Sequence, residues 1–365
     1  MKETTTIILL STFFAFAIAP LIINILYKLK VVRKIENDFS SIVAERSTKE
    51  GTPIMGGIII IIPILIITLT INWNTFTYIP IIVLLISALL GAIDDLLNIF
   101  GRKRLVRPFH KHIKLAMIHK DWKKRLWLAI LIPWSAYKNV WYKLGSYPGK
   151  GIHAGEKIII QTLTGGIVAY WLFSYLGIST IWIPFWGVLE LGILMPFLII
   201  FTIISMSNAV NISDGMDGLS AGLLIISFST FMLIAIIEAQ TESAFLLATT
   251  IGALIAYLYF NIKPARIQMG DTGSLALGAL LATTAFLQDK IFLLPIIGLP
   301  FVIEIGSSLI QSIYKSIFRR RLFKMAPLHL HFLIKGWSEE KTVMRFWLFG
   351  LITAIIGFWI YIISF

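Results

Sequence analysis

The chain has 365 residues, 57% of them hydrophobic and only 14% charged, with no cysteine and a formal net charge of +13. So little charge cannot cover a soluble globule, and the missing cysteines exclude disulfides, thiolate metal sites and cysteine nucleophiles. The positive balance does not imply nucleic acid as a partner, because no recognition module accompanies it.

Taken in order, the first apolar run is Thr5 to Tyr27, close to the ~20 residues that cross a bilayer as helix. It lacks a basic leading segment and a small-residue cleavage site, so a retained first helix is expected rather than a removed signal. Further spans are expected at roughly 56–71, 79–95, 158–176, 187–207, 218–237, 243–260, 272–288, 291–314 and 343–364. None reads as the ~10-residue alternating strands of a membrane barrel. With the N-terminus outside and inner segments at roughly 28–55, 96–157, 208–217, 261–271 and 315–342, nearly every Lys and Arg lies on or beside the inner side, Lys2 and Lys290 being the exceptions. The expected fold is therefore all-α and polytopic, with about ten transmembrane helices and both termini outside.

One domain of packed helices is expected, interrupted by a basic insertion at about 102–157. Its apolar run Leu126 to Trp134 is too short to span and would reverse the charge topology, so an amphipathic element on the inner leaflet is expected. His110, His112 and His119 within it are read as solvated. The Trp182–Trp186 region suits the outer interface. In the ninth span Pro295, Gly298 and Pro300 point to a kinked or broken helix. Such a break opens a groove toward lipid or is an ordinary packing kink.

Charge beside membrane helices is costly, so its position is informative. Asp94, Asp95, Asp214, Asp217 and Asp271 all fall at inner ends of spans. Asp94 and Asp95 point about 100° apart on a helix, and two carboxylates this close call for a cation or a lysine. Either a metal or base role, or a water-facing helix-end pair, is consistent with them. Asn208, Asn211, Asp214 and Asp217 recur every three residues, a one-sided polar row if the segment is helical. Gly215 and Gly218 there permit close backbone approach or positive φ, and the loop amides are candidates to cradle anionic oxygens. Asp271, in Met269-Gly-Asp-Thr-Gly-Ser, reads alone as a helix cap and in company as a Mg²⁺ ligand candidate. Without Cys and with few convergent His, zinc is disfavoured. His329 and His331, near the Arg319–Arg321 cluster, suit a phosphate-rich substrate or sit as interfacial histidines. Lys49, Lys157 and Gln161 border the same face and are candidates to neutralise diphosphate.

At these positions the chain resembles the polyprenyl-phosphate N-acetylhexosamine-1-phosphate transferases, and among them the phospho-N-acetylmuramoyl-pentapeptide transferase branch. The resemblance rests on Lys49-Glu-Gly-Thr-Pro-Ile-Met-Gly-Gly, Asp94-Asp95, Ser207–Gly218, Asn261 through Met269-Gly-Asp-Thr-Gly-Ser, and Met325-Ala-Pro-Leu-His-Leu-His-Phe with Gly336-Trp and Arg345-Phe-Trp. These motifs run in family order along nearly the whole chain.

The resemblance implies a ten-helix homodimer in the bacterial inner membrane with its active site on the cytoplasmic face. It implies transfer of phospho-MurNAc-pentapeptide from UDP-MurNAc-pentapeptide to undecaprenyl phosphate, giving lipid I and UMP, with Mg²⁺ as cofactor. By position it gives Asp271 the Mg²⁺-associated role, with Asp214 as a second candidate ligand. Asp94 and Asp95 would bind or deprotonate the lipid phosphate, with His329 as a further catalytic candidate. Lys49, Lys157, Asn211, Asp214, Asp217, Asn261, Gln268 and His331 would contact substrate. Leu330 replaces the middle of a three-histidine run, Leu333 an acidic residue, and Gln268 a Phe suited to stacking on uracil. The basic insertion is also far longer than the family's loop.

Two other readings compete. A relative that transfers N-acetylglucosamine phosphate would share the reaction class. An ion-coupled transporter would place its carboxylates near the midplane, with inverted repeats, and neither feature is seen.

Overall fold

The computed structural model describes residues 2–33, 49–102, 109–143 and 149–364. Residues 103–108 and 144–148 of the basic insertion lie outside the described residues. Helices dominate: α1 Lys2–Lys28, α2 Gly57–Ile71, α3 Tyr78–Phe100, α4 Phe109–Ile118, α5 Trp122–Ile130, α6 Ile132–Lys143 and α7 Ala154–Ala169. After a β-hairpin come α8 Met195–Ser213, α9 Leu219–Ile237, α10 Thr241–Asn261, α11 Gly270–Leu287, α12 Leu294–Ile297, α13 Leu299–Phe318, α14 Leu328–Ile334 and α15 Glu339–Ile363. Among the described residues, seven helices are long and apolar enough to cross a membrane, or eight if the bent α12–α13 region is one span. The other two expected spans are α2, apolar but of 15 residues, and α11, the helix at the centre.

From Thr272 to Phe286 every residue of α11 is buried. It packs against α3 and α8, and small residues bring the backbones together. A Cβ on Gly91 of α3 would stand 2.1 Å from the Asp271 carbonyl oxygen. Only glycine permits that approach, and one helical turn later α3 presents Asp95 to the first turn of α11.

The chain breaks where its prolines and glycine predict. The segments Ile291–Ile297 and Leu299–Phe318 meet at 77°. Pro300 cannot donate a backbone hydrogen bond and its ring obstructs a continuous helix. The tilt of α13 leaves two cavities along its flank. One, of about 660 Å³, is lined by Lys157, Asn208, Ile305, Leu309, Ile313 and others. The second, of about 510 Å³ and more apolar, shares Ser205, Ile305 and Leu309 with it.

Three boundaries differ from the sequence reading. The fifth span does not start at 187. Gly187–Glu190 instead pairs antiparallel with Thr180–Ile183, with Trp182 opposite Val188, and the span proper runs Gly192–Ser213. It continues through part of the expected 208–217 loop. The fourth span begins earlier, at Ala154, where His153 and Glu156 form a capping box. At this hairpin end, opposite the carboxylates, Lys290 pairs with Glu238 at 2.8 Å and lies over the Trp182 ring. Local pairing thus accounts for a lysine outside the basic inner segments.

Candidate active site

Five elements deliver polar side chains to one end of the helix packing: the last turns of α3, the first turn of α7, the end of α8 with its following turn, the start of α11, and the 49–57 loop. The adjacent carboxylates on α3 divide their work. Asp95, 4% exposed, accepts from the Asp271 amide at 3.1 Å, the Thr272 amide at 3.0 Å and the Thr272 hydroxyl at 2.7 Å. It caps the N-terminus of α11 from another helix, satisfying amides that have no partner inside a helix. Asp271 itself does not cap: Met269 occupies that position without a side-chain bond. Asp94 turns the other way, accepting from the Ile152 amide and from Asn98 at 3.0 Å, and facing Lys157 Nζ at 2.7 Å.

Lys157 also lies 2.5 Å from Asp271 Oδ2, so one ammonium joins carboxylates from α3 and α11. The other Asp271 oxygen accepts from Asn211 Nδ2 at 2.8 Å, and Asn211 is held in turn by Ser274 Oγ at 2.9 Å. Asp214 accepts from Ser220 Oγ at 2.6 Å. Burial pushes Asp214 up to about 7, the nearby Asp271 charge adding to the rise while Ser220, the Gly270 amide and Lys49 oppose it. The expected polar row is only partly helical. Asn208 and Asn211 lie on α8, whereas Asp214 ends that helix and Asp217 belongs to the turn beyond. Gly218 does take a positive φ of 81°, while Gly215 serves close approach: a Cβ there would lie 2.4 Å from His329 Nε2.

Several expected ligand groups are engaged inside the protein. Lys49 is buried between Asp217 at 2.7 Å and Glu339 at 2.5 Å. The Asp217 amide donates to Glu339 and the Gly218 amide to Asn261 Oδ1, so these amides are not free to cradle an anion. Asn261 also donates to the Ile267 carbonyl, bracing the loop before α11. Gln161 accepts from Asn208 at 2.8 Å. Gln268 accepts from Arg33 Nη1 at 2.9 Å, and both line a narrow recess with Asp214, Asp217 and Asn261.

His329 and Glu304 are both fully buried, with Nδ1 and Oε2 2.8 Å apart. The second Glu304 oxygen accepts from the His329 amide. His331 is not brought to the carboxylates. Its Nδ1 accepts from the Lys324 amide, and its ring meets Phe323 and Phe332 edge-on. Burial, with Lys335 and Lys324 nearby, holds His331 below its ordinary pKa. His112 is a correction too: it is buried, its Nε2 3.0 Å from the Leu128 carbonyl oxygen, because α4 and α5 fold on one another.

Sequence reasoning missed Arg33, Asn98, Ser220 and Glu339, and gave Glu304 no role. Only Glu304 carried a local signal, an acid within an apolar helix.

Among the described residues, no three acidic, imidazole or thiol groups form a complete cage for a metal ion. Asp271 and Asp214 offer hard oxygens of the kind Mg²⁺ binds through one or two carboxylates, its other ligands being water and substrate phosphate. The donor set therefore fits Mg²⁺.

A profile described as glycosyl transferase family 4 matches residues 149–288. The chain is 35% identical to the phospho-N-acetylmuramoyl-pentapeptide-transferase of Enterococcus faecalis over 86% of its own length and 85% of that protein's. With the protein of that name from Thermoanaerobacter sp. the identity is 34%, over 96% and 98% of the two chains. With that from Leptospira biflexa it is 35%, over 95% and 90%.

Proposed function

Because the chain belongs to the phospho-N-acetylmuramoyl-pentapeptide-transferase family, we infer that it is an integral-membrane phosphoglycosyl transferase carrying out the reaction for which its relatives are named. A phosphate oxygen of undecaprenyl phosphate attacks the sugar-bearing phosphorus of UDP-MurNAc-pentapeptide. The bond from that phosphorus to the oxygen bridging it to the uridine-bearing phosphorus breaks, this oxygen leaves with UMP, and the sugar phosphate remains on the lipid as lipid I. The observation that best supports this reading is the Asp94–Lys157–Asp271 group at the head of the cavity beside α13, to which Lys157 itself contributes. An anionic lipid needs both an apolar groove for its chain and a polar end for its phosphate.

In this reading Asp94 orients the acceptor phosphate and takes its proton. Lys157 neutralises phosphate charge, and Asn211 fixes the Asp271 carboxylate. Asp271 and Asp214 would hold Mg²⁺, which when bound supplies charge stabilisation to the departing phosphate. Arg33, Asp214, Asp217, Asn261 and Gln268, which surround a recess of only about 10 Å³, would contact the nucleoside from beside the Lys49–Glu339 pair. His329 would complete the wall beside Gly215. A homodimer, the bacterial inner membrane and a cytoplasmic-facing site are finer parts of the same proposal.

The test compares UMP release by purified protein supplied with polyprenyl phosphate and either UDP-MurNAc-pentapeptide or UDP-N-acetylglucosamine. Release from the first alone, abolished by excess EDTA, is expected. Release from the second alone would reassign the donor, and release from neither would remove the transferase reading.

A further inference from the structure

The helices α4, α5 and α6 have a surface that no reacting group requires. With their connections, over 109–143, they carry eight Lys and Arg residues against one acid, Asp121. That acid is occupied at the start of α5, where its carboxylate accepts from the Lys123 amide at 3.0 Å. Among the described residues, none of Lys123, Lys124 and Arg125 is paired with a carboxylate.

Apolar groups accompany these charges on the outside. On α5, Leu128 is the buried residue, while Trp122, Leu126 and Ile130 are 68%, 56% and 67% exposed. Spaced at i, i+4 and i+8, they form one ridge on the side roughly opposite Leu128. Met117 and Ile118 at the end of α4 are similarly exposed. A face in contact with water alone rarely gathers a Trp and aliphatic ridge flanked by unpaired cations. An interfacial helix requires that combination, its apolar face reaching the acyl boundary and its cations the lipid phosphates.

The unit is also fastened to the groove. Tyr137 donates to the Gly155 carbonyl at 3.0 Å, and Lys138 pairs with Glu156 at 3.0 Å. Trp141 lines the 660 Å³ cavity together with Lys157. These anchors grip the first turn of α7, the turn from which Lys157 projects.

We propose that α4–α6 dock on the anionic headgroups of the leaflet in which the chain sits, with the Trp122–Leu126–Ile130 ridge inserted and Lys123 and Arg125, on either side of it, on lipid phosphate. Docking there sets the mouth of the cavity level with the lipid phosphates. This last consequence rests on the acceptor being a lipid phosphate, whereas the docking itself does not.

The lack of cysteine provides a direct test. Full-length Ile130→Cys, labelled with an environment-sensitive fluorophore, is compared in bilayer discs of neutral lipid and of neutral plus anionic lipid. Blue-shifted emission is expected only with anionic lipid. It should revert in about 1 M salt, where the screening length falls to about 3 Å, and in the Lys123→Gln/Lys124→Gln/Arg125→Gln variant. Equal emission in both discs, or a shift that survives the triple substitution, would overturn the proposal. As a separate readout, the triple variant in anionic discs should need several-fold more polyprenyl phosphate for half-maximal turnover, with kcat unchanged. A normal requirement alongside the expected emission would remove only the coupling to the cavity mouth. Failure of turnover in the wild type would count against the transferase reading and leave the emission result standing.

Discussion

Lys157 Nζ lies 2.5 Å from Asp271 Oδ2, in a contact that joins the start of α7 to the start of α11. Asp94 shares the same ammonium, so Lys157 carries positive charge between two carboxylates that would otherwise repel. Replacing it with Met leaves both without a cation in a largely buried site. Turnover should fall by about 10²-fold or more, the scale for losing one stabilising group at developing charge. The melting temperature should fall as well, because breaking a buried pair strands the remaining charge. Adding Asp94→Asn to Lys157→Met should restore part of the lost stability. Strictly additive losses in this double-mutant cycle would show that the two residues do not interact energetically.

The two neighbouring acids on α3 should separate in experiment. Asp95 is saturated by the Asp271 and Thr272 donors, so Asp95→Asn, which can accept at only one atom, should destabilise the protein by about 0.5–2 kcal/mol, the usual scale for a lost cap. Asp94 faces Lys157 and the cavity end of the site. Asp94→Asn should slow single turnover while leaving UDP-sugar binding close to wild type. Thermal unfolding with rapid-quench kinetics on both variants decides the matter. Equal catalytic loss with equal stability loss would mean that the pair acts as one structural unit.

The helical, membrane-spanning character, the break at Gly298 and the gathering of Asp94, Asp214 and Asp271 were legible because a bilayer makes apolar length and the position of charge informative. Which acid does what was not. Asp95 acts on Thr272, far along the chain, through a contact that depends on Gly91 admitting the α11 backbone. No local pattern encodes that distance. Lys49 illustrates the same limit. A basic residue in a Gly-rich motif reads as a phosphate ligand, yet its nearest acids come from Asp217 and Glu339. The start of the fifth span was misplaced because Gly187–Glu190 continues an apolar run whose strand pairing depends on Thr180–Ile183.

Gln268 stands where the resemblance expects an aromatic ring, and its amide is held by Arg33. If this recess takes uracil, Gln268→Phe should tighten uridine-nucleotide binding by up to about tenfold. Stacking on a base contributes ~1–3 kcal/mol in nucleic-acid binders, and about 1.4 kcal/mol is a factor of ten. The change should appear in KM for the UDP-sugar rather than kcat, because uracil is remote from the reacting phosphorus. Calorimetry with UMP beside steady-state turnover checks both. Unchanged affinity in the folded variant would place the base elsewhere.

The Glu304–His329 pair supports the last prediction. Both Glu304 oxygens are used on one residue, its ring nitrogen and its amide. With Glu304 ionised and so accepting only, Nδ1 would carry the proton and Nε2 would be the free ring position. Among the described residues that buried Nε2 has no hydrogen-bond partner, and it is aimed at Gly215 in the turn that follows Asp214. The ring is therefore rigid, and Gly215 is small because the ring is there. Gly215→Ala would set a methyl group 2.4 Å from Nε2, and a ring tied by Glu304 cannot swing aside cheaply. Gly215→Ala alone should lower kcat strongly by displacing either His329 or the Asp214 turn. Glu304→Gln keeps the volume but lets an amide N–H face Nδ1, favouring the other tautomer. It should lower kcat and move the pH profile with little effect on KM for the UDP-sugar. Glu304→Ala frees the ring, so adding Gly215→Ala to it should cost less than Gly215→Ala costs in the wild type. Measured kcat values that multiply across this cycle would show that Glu304 does not restrain His329 against Gly215, and the assigned wall of the site would have to be redrawn.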